Sequence, residues 1–273
     1  MKTKSFSQKV YQVVSRIPKG KFLTYKKLAK LTGKDKAYRL IGHILSKNKN
    51  TKIPCHRVIR NNNLIGGYQG SYKKAWKKLG LLLKEGVIAV IPTDTIYGIC
   101  GSALNKETVK KIYKIKKRNP KKPMIILISS LNDLNIFGVK ISKKDKKILK
   151  KLWPAKISVI LRYKSKKFDY LCNNKKLKTL AFRIPLSKFL IKVLKISGPL
   201  LAPSANLEGK EPAKTIIEAK KYFGKEVIYY NYNIKKPSEK PSTLIKLENG
   251  AFEIIRKGQD LNKLKKLKYN EII

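Results

Sequence analysis

The segment Leu83–Gly98, reading LKEGVIAVIPTDTIYG, constrains this chain more than any other. Its apolar run, Val87 to Ile91, stops at Pro92 and gives way to the hydroxyl-rich Thr93-Asp94-Thr95. A short apolar run ended by proline predicts a buried strand that delivers a ligand-binding turn. Directly ahead of it, a helical pattern over Ala75–Lys84 closes at Glu85-Gly86. A helix that enters a buried strand through one glycine leaves no room for a linker. Two units held close together are therefore expected, 1–86 and 87–273.

The chain has 273 residues, enough for each unit to bury its own core. No apolar run approaches the roughly 18 residues of a membrane span, and the basic Met1–Lys4 leads into no apolar leader core. A cytoplasmic protein without a membrane partner is expected. Cys55, Cys100 and Cys172 lie far apart, and His43 and His56 are the only histidines. That usage predicts no bound metal and a reducing compartment. The net charge is +49, of which +20 precedes Val87 and +29 follows it. So basic a chain attracts polyanions. Lysine is nevertheless spread throughout among Ile and Asn, which fits a composition bias equally well, so the charge supports nucleic-acid partners without establishing them.

In the first unit, Phe6, Val10, Val13, Val14 and Ile17 recur at helical spacing until Pro18-Lys19-Gly20. Thr24 can cap a second helix running to Gly33, and a third spans Lys36 to Ser46, with Tyr38, Ile41 and Leu45 on one face and Arg39 and His43 on another. Two short helices about a tight turn, the second one basic, fit a helix-turn-helix. Cys55 stands between Pro54 and His56-Arg57. A thiol becomes a nucleophile when neighbouring bases or cations favour its thiolate. His56 can take that proton directly or through water, and Glu85, one of two acids in this unit, can orient His56.

The series Thr24-Tyr25, Ala37-Tyr38-Arg39-Leu40-Ile41-Gly42, Asn48, Ile53-Pro54-Cys55-His56-Arg57-Val58-Ile59, Gly66-Gly67-Tyr68 and Leu82-Leu83-Lys84-Glu85-Gly86 resembles the methylated-DNA–protein cysteine methyltransferases in order and spacing. The resemblance implies a small, mainly helical, winged-helix-like domain that binds double-stranded DNA containing alkylated guanine. Cys55 would accept the alkyl group once per molecule, with His56 and Glu85 activating the thiol. Arg39 would fill the gap left by the extruded base, Tyr25 would assist its rotation, and Asn48 would hold the turn before the active-site strand. Extrusion is required because the target atom is unreachable inside a stacked duplex. Two departures stand out: Met1 lies just before the core unit, where many relatives carry a further domain, and Gln69-Gly70-Ser71 replaces a second glycine-rich turn.

From Val87 onward strands and helices are expected to alternate. Strand patterns fall at 87–91, 124–129, 157–163, 179–184, 200–202, 242–247 and 252–255. Helical patterns fall at 106–117, 143–152, 186–196 and 212–223. This is an α/β layout around a mixed sheet. Lys235–Pro241 reads as a loop, and the lysine-rich tail after Asp260 as a fraying end. Polar motifs gather at strand ends, where open α/β sheets place ligands. Neither GxxxxGK[ST] nor GxGxxG occurs.

Pro92-Thr93-Asp94-Thr95-Ile96-Tyr97-Gly98, Lys116-x-Arg118 with Lys122-Pro123, Trp153-Pro154, Phe182-Arg183-Ile184-Pro185, Ala202-Pro203-Ser204-Ala205-Asn206 with Gly209, Pro241-Ser242-Thr243 and Arg256-x-Gly258 together resemble the YrdC-like threonylcarbamoyl-adenylate synthases. The resemblance implies an α/β domain with a twisted mixed sheet. It would condense L-threonine, bicarbonate and ATP with Mg2+ to threonylcarbamoyl-AMP, without a prosthetic group, and supply downstream tRNA-modification machinery. Lys116, Arg118, Ser204 and Asn206 would hold the phosphates, Thr179, Ser242 and Arg256 would line the nucleotide site, and Thr95 and Arg183 would hold threonine. Three departures are Leu127 where many relatives carry a histidine, Ala155-Lys156 after Trp153-Pro154, and a chain end soon after Arg256. The leading expectation is a bifunctional enzyme. The alternatives are a synthase whose first unit only binds nucleic acid, and a nucleic-acid-binding protein inactive in both halves.

Overall fold

A computed structural model describes residues 5–171, 178–231, 238 and 240–269. Three helices open the chain: α1 (Phe6–Ser15), α2 (Tyr25–Leu31) and α3 (Tyr38–Lys47). Ser5 and Gln8 cap α1 reciprocally, and Thr24 accepts from Lys27 N to start α2, satisfying donors that a helix start leaves open. Val10, Val14, Leu28, Ala29, Ile41 and Leu45 form their common core. Of the face expected to carry Tyr38, Ile41 and Leu45, the last two are buried together with Ile44, while Tyr38 in the first turn of α3 is exposed. Two short strands, β1 (Leu23–Thr24) and β2 (Val58–Ile59), pair in parallel and tie the active-site segment to α2.

Helix α4 (Ala75–Lys84) then leads through Glu85-Gly86 into a sheet with nine strands among the described residues: β3 (Ala89–Pro92), β4 (Tyr97–Ser102), β5 (Ile125–Leu127), β6 (Ile157–Arg162), β7 (Thr179–Arg183), β8 (Leu200–Leu201), β9 (Ile228–Tyr229), β10 (Thr243–Glu248) and β11 (Ala251–Arg256). Their order across the sheet is β11-β10-β6-β7-β5-β8-β4-β3-β9, with parallel pairs at β10/β6, β7/β5 and β3/β9 and antiparallel pairs elsewhere, so the mixed sheet is present. Helices α5 (Lys106–Ile115), α6 (Lys143–Leu152), α7 (Lys188–Ser197), α8 (Ile216–Phe223) and α9 (Leu261–Tyr269) surround it. Two strands of this sheet went unread in the sequence. β4 was hidden because Gly98 and Gly101 interrupt its apolar pattern, and β9 because two residues carry no period. The expected fraying after Asp260 is corrected: α9 forms there, with Leu264 buried and Lys263 Nζ donating to Leu152 O at 2.7 Å. Cys172 and most of the loop expected at 235–241 fall outside the described residues.

Alternation along the strands sorts side chains to two faces. Ile88, Val90, Ile99, Ile126 and Phe182 enter one core with α5, α6 and α8. Ala89, Ile91, Cys100, Leu127 and Leu200 enter a second, and there the cover consists of α7 together with α4. Leu79, Leu82 and Leu83 of α4 are fully buried in it. The first unit also covers the sheet edge: Ile65 N donates to Tyr229 O and Tyr229 N to Asn63 O, both at 2.9 Å, extending β9 by one more strand-like segment. The first-unit helix α4 thus covers part of the sheet face from which Thr179, Ala181 and Arg183 of β7 project into a cavity.

Candidate active sites

Cys55 sits on a single 3-10 turn, Cys55–Arg57, ahead of β2, and not on the active-site strand that the sequence suggested. Pro54 removes one backbone donor there, and the turn aims the thiol into a cavity of about 220 Å3 lined by Tyr25, Tyr68, Tyr72 and Lys78. Asn48 donates through Nδ2 to Cys55 Sγ at 3.2 Å and to Asn50 O at 2.8 Å, so it holds both the turn and the thiol. Burial pushes the Cys55 thiol up, while the Asn48 hydrogen bond and the nearby Lys78 charge pull it down. His56 Nε2 lies 3.0 Å from Glu85 Oε1. Burial lowers the His56 pKa against the opposing pull of Glu85, so the ring is neutral near pH 7 and able to take a proton. Among the described residues no hydrogen bond joins His56 to Cys55. Arg39 is exposed on α3 and does not line the cavity.

Two residues here escaped the sequence reading. Arg57 donates through Nε and Nη2 to both oxygens of Glu85, at 2.8 and 2.7 Å, and through Nη1 to Ile17 O. Lys78 is 1% exposed, donates to Val58 O and lies over the Tyr25 ring. Burial lowers its pKa to about 8. A signal for Lys78 was present: it interrupts the Ala75–Leu79–Leu82 apolar stripe of α4, where a lysine must find a buried partner.

The second cavity, about 490 Å3, opens on the sheet face beside β7. It gathers seven of the nine residues expected there, Thr95, Arg118, Thr179, Arg183, Ser204, Ser242 and Arg256, from six separate segments. Arg118 is braced by the carbonyls of Lys122 and Pro123 at 3.2 and 3.1 Å, and Arg256 by Ser242 O at 2.9 Å. Lys116 and Asn206 stand behind the wall. Lys116 Nζ donates to Ser204 O and Asn206 O, both at 2.6 Å, and to Asn206 Oδ1 at 3.2 Å. Burial and Arg118 push its pKa down to about 7, while Glu208 opposes. It therefore fastens the 204–206 turn to the end of α5. Arg183 is 3% exposed and donates to Thr95 Oγ1 at 3.2 Å. Asp94, unread as a site residue, lies against it. Leu127 belongs to the α4–α7 core and does not line the cavity. Among the described residues no cluster of three His, Cys, Asp or Glu side chains could hold a metal ion, and no helix is long and apolar enough to cross a membrane.

Comparison with known proteins assigns a family to each half. The Sua5–YciO–YrdC family, described as telomere recombination, matches residues 81–258, and the DNA-binding domain of 6-O-methylguanine DNA methyltransferase matches residues 5–87. A putative threonylcarbamoyl-AMP synthase of Methanocaldococcus jannaschii is 34% identical over 200 residues, covering 72% of this chain and 93% of that protein. The threonylcarbamoyl-AMP synthase of Pyrococcus abyssi is 32% identical over 52% of this chain and 42% of its own length, so the chain spans under half of that longer relative. Among solved structures, a Pyrococcus abyssi Sua5 variant superposes with a TM-score of 0.65 at 25% identity, covering 75% of this chain and 63% of that one. Escherichia coli YciO does so at 0.62 and 21%, covering 73% and 96%, a likeness of fold. The two family matches overlap on 81–87, the end of α4 and the turn that follows. The chain belongs to the Sua5–YciO–YrdC family, with the DNA-binding domain of a 6-O-methylguanine DNA methyltransferase fused in front of it.

Proposed function

We propose that the second unit is a threonylcarbamoyl-AMP synthase, joining L-threonine, bicarbonate and ATP with release of pyrophosphate. The observation that carries this reading is the 490 Å3 cavity, where two braced arginines, a buried arginine and several hydroxyls converge from separate segments. The curated relatives named as such synthases support it. Carboxylated threonine must meet the α-phosphorus in line while charge accumulates on the leaving pyrophosphate. Arg118 and Arg256, fixed by backbone carbonyls, meet that charge without reorganising. Ser242 donates to a phosphate or ribose oxygen, Ser204 does so when its hydroxyl leaves Asn206 Oδ1, to which it donates at 2.6 Å, and Thr179 lines the nucleotide. Arg183 and Thr95 take the threonine carboxylate. Lys116 acts through the turn it fastens, with Asn206 beside it. ATP would be taken as its magnesium complex, the metal supplying counter-charge to the triphosphate. The product would pass to the machinery that modifies tRNA. Threonine-dependent pyrophosphate release should fall at least a hundredfold in R118A; release at the wild-type rate would remove the assignment.

For the first unit we infer a winged-helix-like domain that binds double-stranded DNA and receives an alkyl group on Cys55. The thiolate attacks the alkyl carbon, the carbon–oxygen bond breaks, and the guanine oxygen leaves with the electron pair. His56, neutral and oriented by Glu85, takes the thiol proton through a bridging water. Tyr25 and Lys78 flank the departing base, and exposed Arg39 fills the space it vacates in the stack. Intact-protein mass after incubation with a methylguanine duplex should rise by one methyl in wild type and not in C55A. No gain, with pyrophosphate release intact, would leave a synthase carrying a nucleic-acid-binding module.

A further inference from the structure

Against the guanidinium assigned to the threonine carboxylate lies a carboxylate that the proposed chemistry leaves unused. Asp94 stands in the turn between β3 and β4, its side chain 6% exposed and that of Arg183 4%. Asp94 Oδ2 accepts from Leu186 N at 2.9 Å, which anchors it to the segment entering α7. Asp94 Oδ1 lies 3.3 Å from Arg183 Nη2, yet among the described residues neither Asp94 Oδ1 nor Arg183 Nε has a hydrogen-bond partner. Arg183 Nη1 is committed to Thr95 Oγ1. The guanidinium is thus located at two corners; Nε is buried, while Nη1 and Nη2 each keep a second N–H on a side chain that lines the cavity.

A tight bidentate pair would occupy the arginine fork and close it to any ligand. An arginine buried with no counter-charge would be costly to keep ionised and free to lean on any acceptor. The arrangement found here avoids both: the counter-charge is close, its own position is fixed from behind by Leu186 N, and the arginine keeps donors for a second carboxylate. We propose that Asp94 is a positioning residue that holds Arg183 charged and aimed, and so sets selectivity for amino acids with a free α-carboxylate. The proposal rests on the reading that Arg183 receives that carboxylate. Asp94 also repels an incoming anion. Its charge is already met by Arg183 and Leu186 N, so orientation outweighs repulsion.

The test is steady-state pyrophosphate release by the full chain, with threonine as substrate and threoninamide, which lacks the carboxylate, as competitor. D94N keeps an oxygen for Leu186 N but turns an amide donor toward Arg183. The KM for threonine is expected to rise at least tenfold, with kcat within threefold, the KM for ATP unchanged, and the preference for threonine over threoninamide reduced at least fivefold. A threonine KM that is unchanged or lower, or an equal loss in kcat and in both KM values, would overturn the proposal and reduce Asp94 to a loop anchor. Should D94N fold poorly, D94E carries the test, because it keeps the charge and should retain the preference within threefold; loss of the preference there also overturns it. R183Q separates the two layers: an unchanged threonine KM in that variant removes the carboxylate assignment itself, whereas a raised KM beside a silent D94N removes only the role of Asp94.

Discussion

Glu85 answers to two partners, and its chemistry follows from that. Burial alone would raise its carboxyl, but the hydrogen bonds from Arg57 and His56 outweigh burial and hold it below the ordinary 4.5. The unfolded chain therefore takes up this proton first as pH falls. The stabilisation is present in full above about 4.5 and is lost as pH drops through the folded value. E85Q should lose about 3 kcal/mol by urea titration at pH 7, because it leaves the Arg57 charge buried without a counter-ion. Its stability should also be flatter than wild type below pH 4.5. The pairing of His56 with Glu85 was legible, since Asp35 is the only other acid in that unit. The larger share that Arg57 takes was not, because adjacent residues compete for one acid and only the turn at Cys55–Arg57 decides between them. The same limit applies to Lys116. Its motif spacing is visible in the sequence, whereas the carbonyls of Ser204 and Asn206, which turn its ammonium away from the cavity, lie nearly ninety residues away in sequence.

At the scale of elements, α4 shows how packing overrides propensity. Gly80 lies mid-helix, where alanine would ordinarily add about 1 kcal/mol. A Cβ there would stand 2.9 Å from Ile196 Cβ and 3.3 Å from Val193 O of α7. G80A should therefore be destabilised by about 1–3 kcal/mol through overpacking, whereas K77A on the exposed side should be near neutral; thermal melts of both check this. Helices with a strong 3.6-residue period were legible to within a few residues, and α6 matched end for end. Elements whose making depends on neighbours were not. The strand β4 tolerates Gly101 only because Thr108 and Ile112 of α5 fill the space beside it. Likewise α9 is held through Leu264 and Lys263 against distant partners, a gain invisible in a lysine-rich tail.

At the scale of the molecule, the two units share a core. Leu79, Leu82 and Leu83 pack with Ala89, Cys100, Leu127 and Val193, and Asn63 Nδ2 reaches Lys225 O and Val227 O, both at 3.1 Å. Unfolding one unit uncovers apolar surface of the other, so a single cooperative transition is expected. A urea titration followed through Cys55 reactivity and through pyrophosphate release should give one midpoint; two midpoints more than 0.5 M apart would show independent units. That both families lie in this chain was readable from motifs, because motifs are local. That they overlap on a common helix was not, since the second use of α4 lies in its contacts and not in its pattern. The turn after that helix has a further consequence. Gly86 adopts φ +92°, and its carbonyl accepts from Thr108 Oγ1 at 3.1 Å, so helix, turn and strand mesh without slack. Inserting one residue into α4 would rotate Glu85 by about 100°, away from His56 and Arg57, unless β3 slid along its neighbours instead. An insertion that an ordinary tether would absorb must here damage one site or the other. A change of length at the junction is therefore costlier than a substitution around it: even a whole helical turn, which restores the angle, carries Glu85 about 5.4 Å along the axis and away from partners at 2.7–3.0 Å.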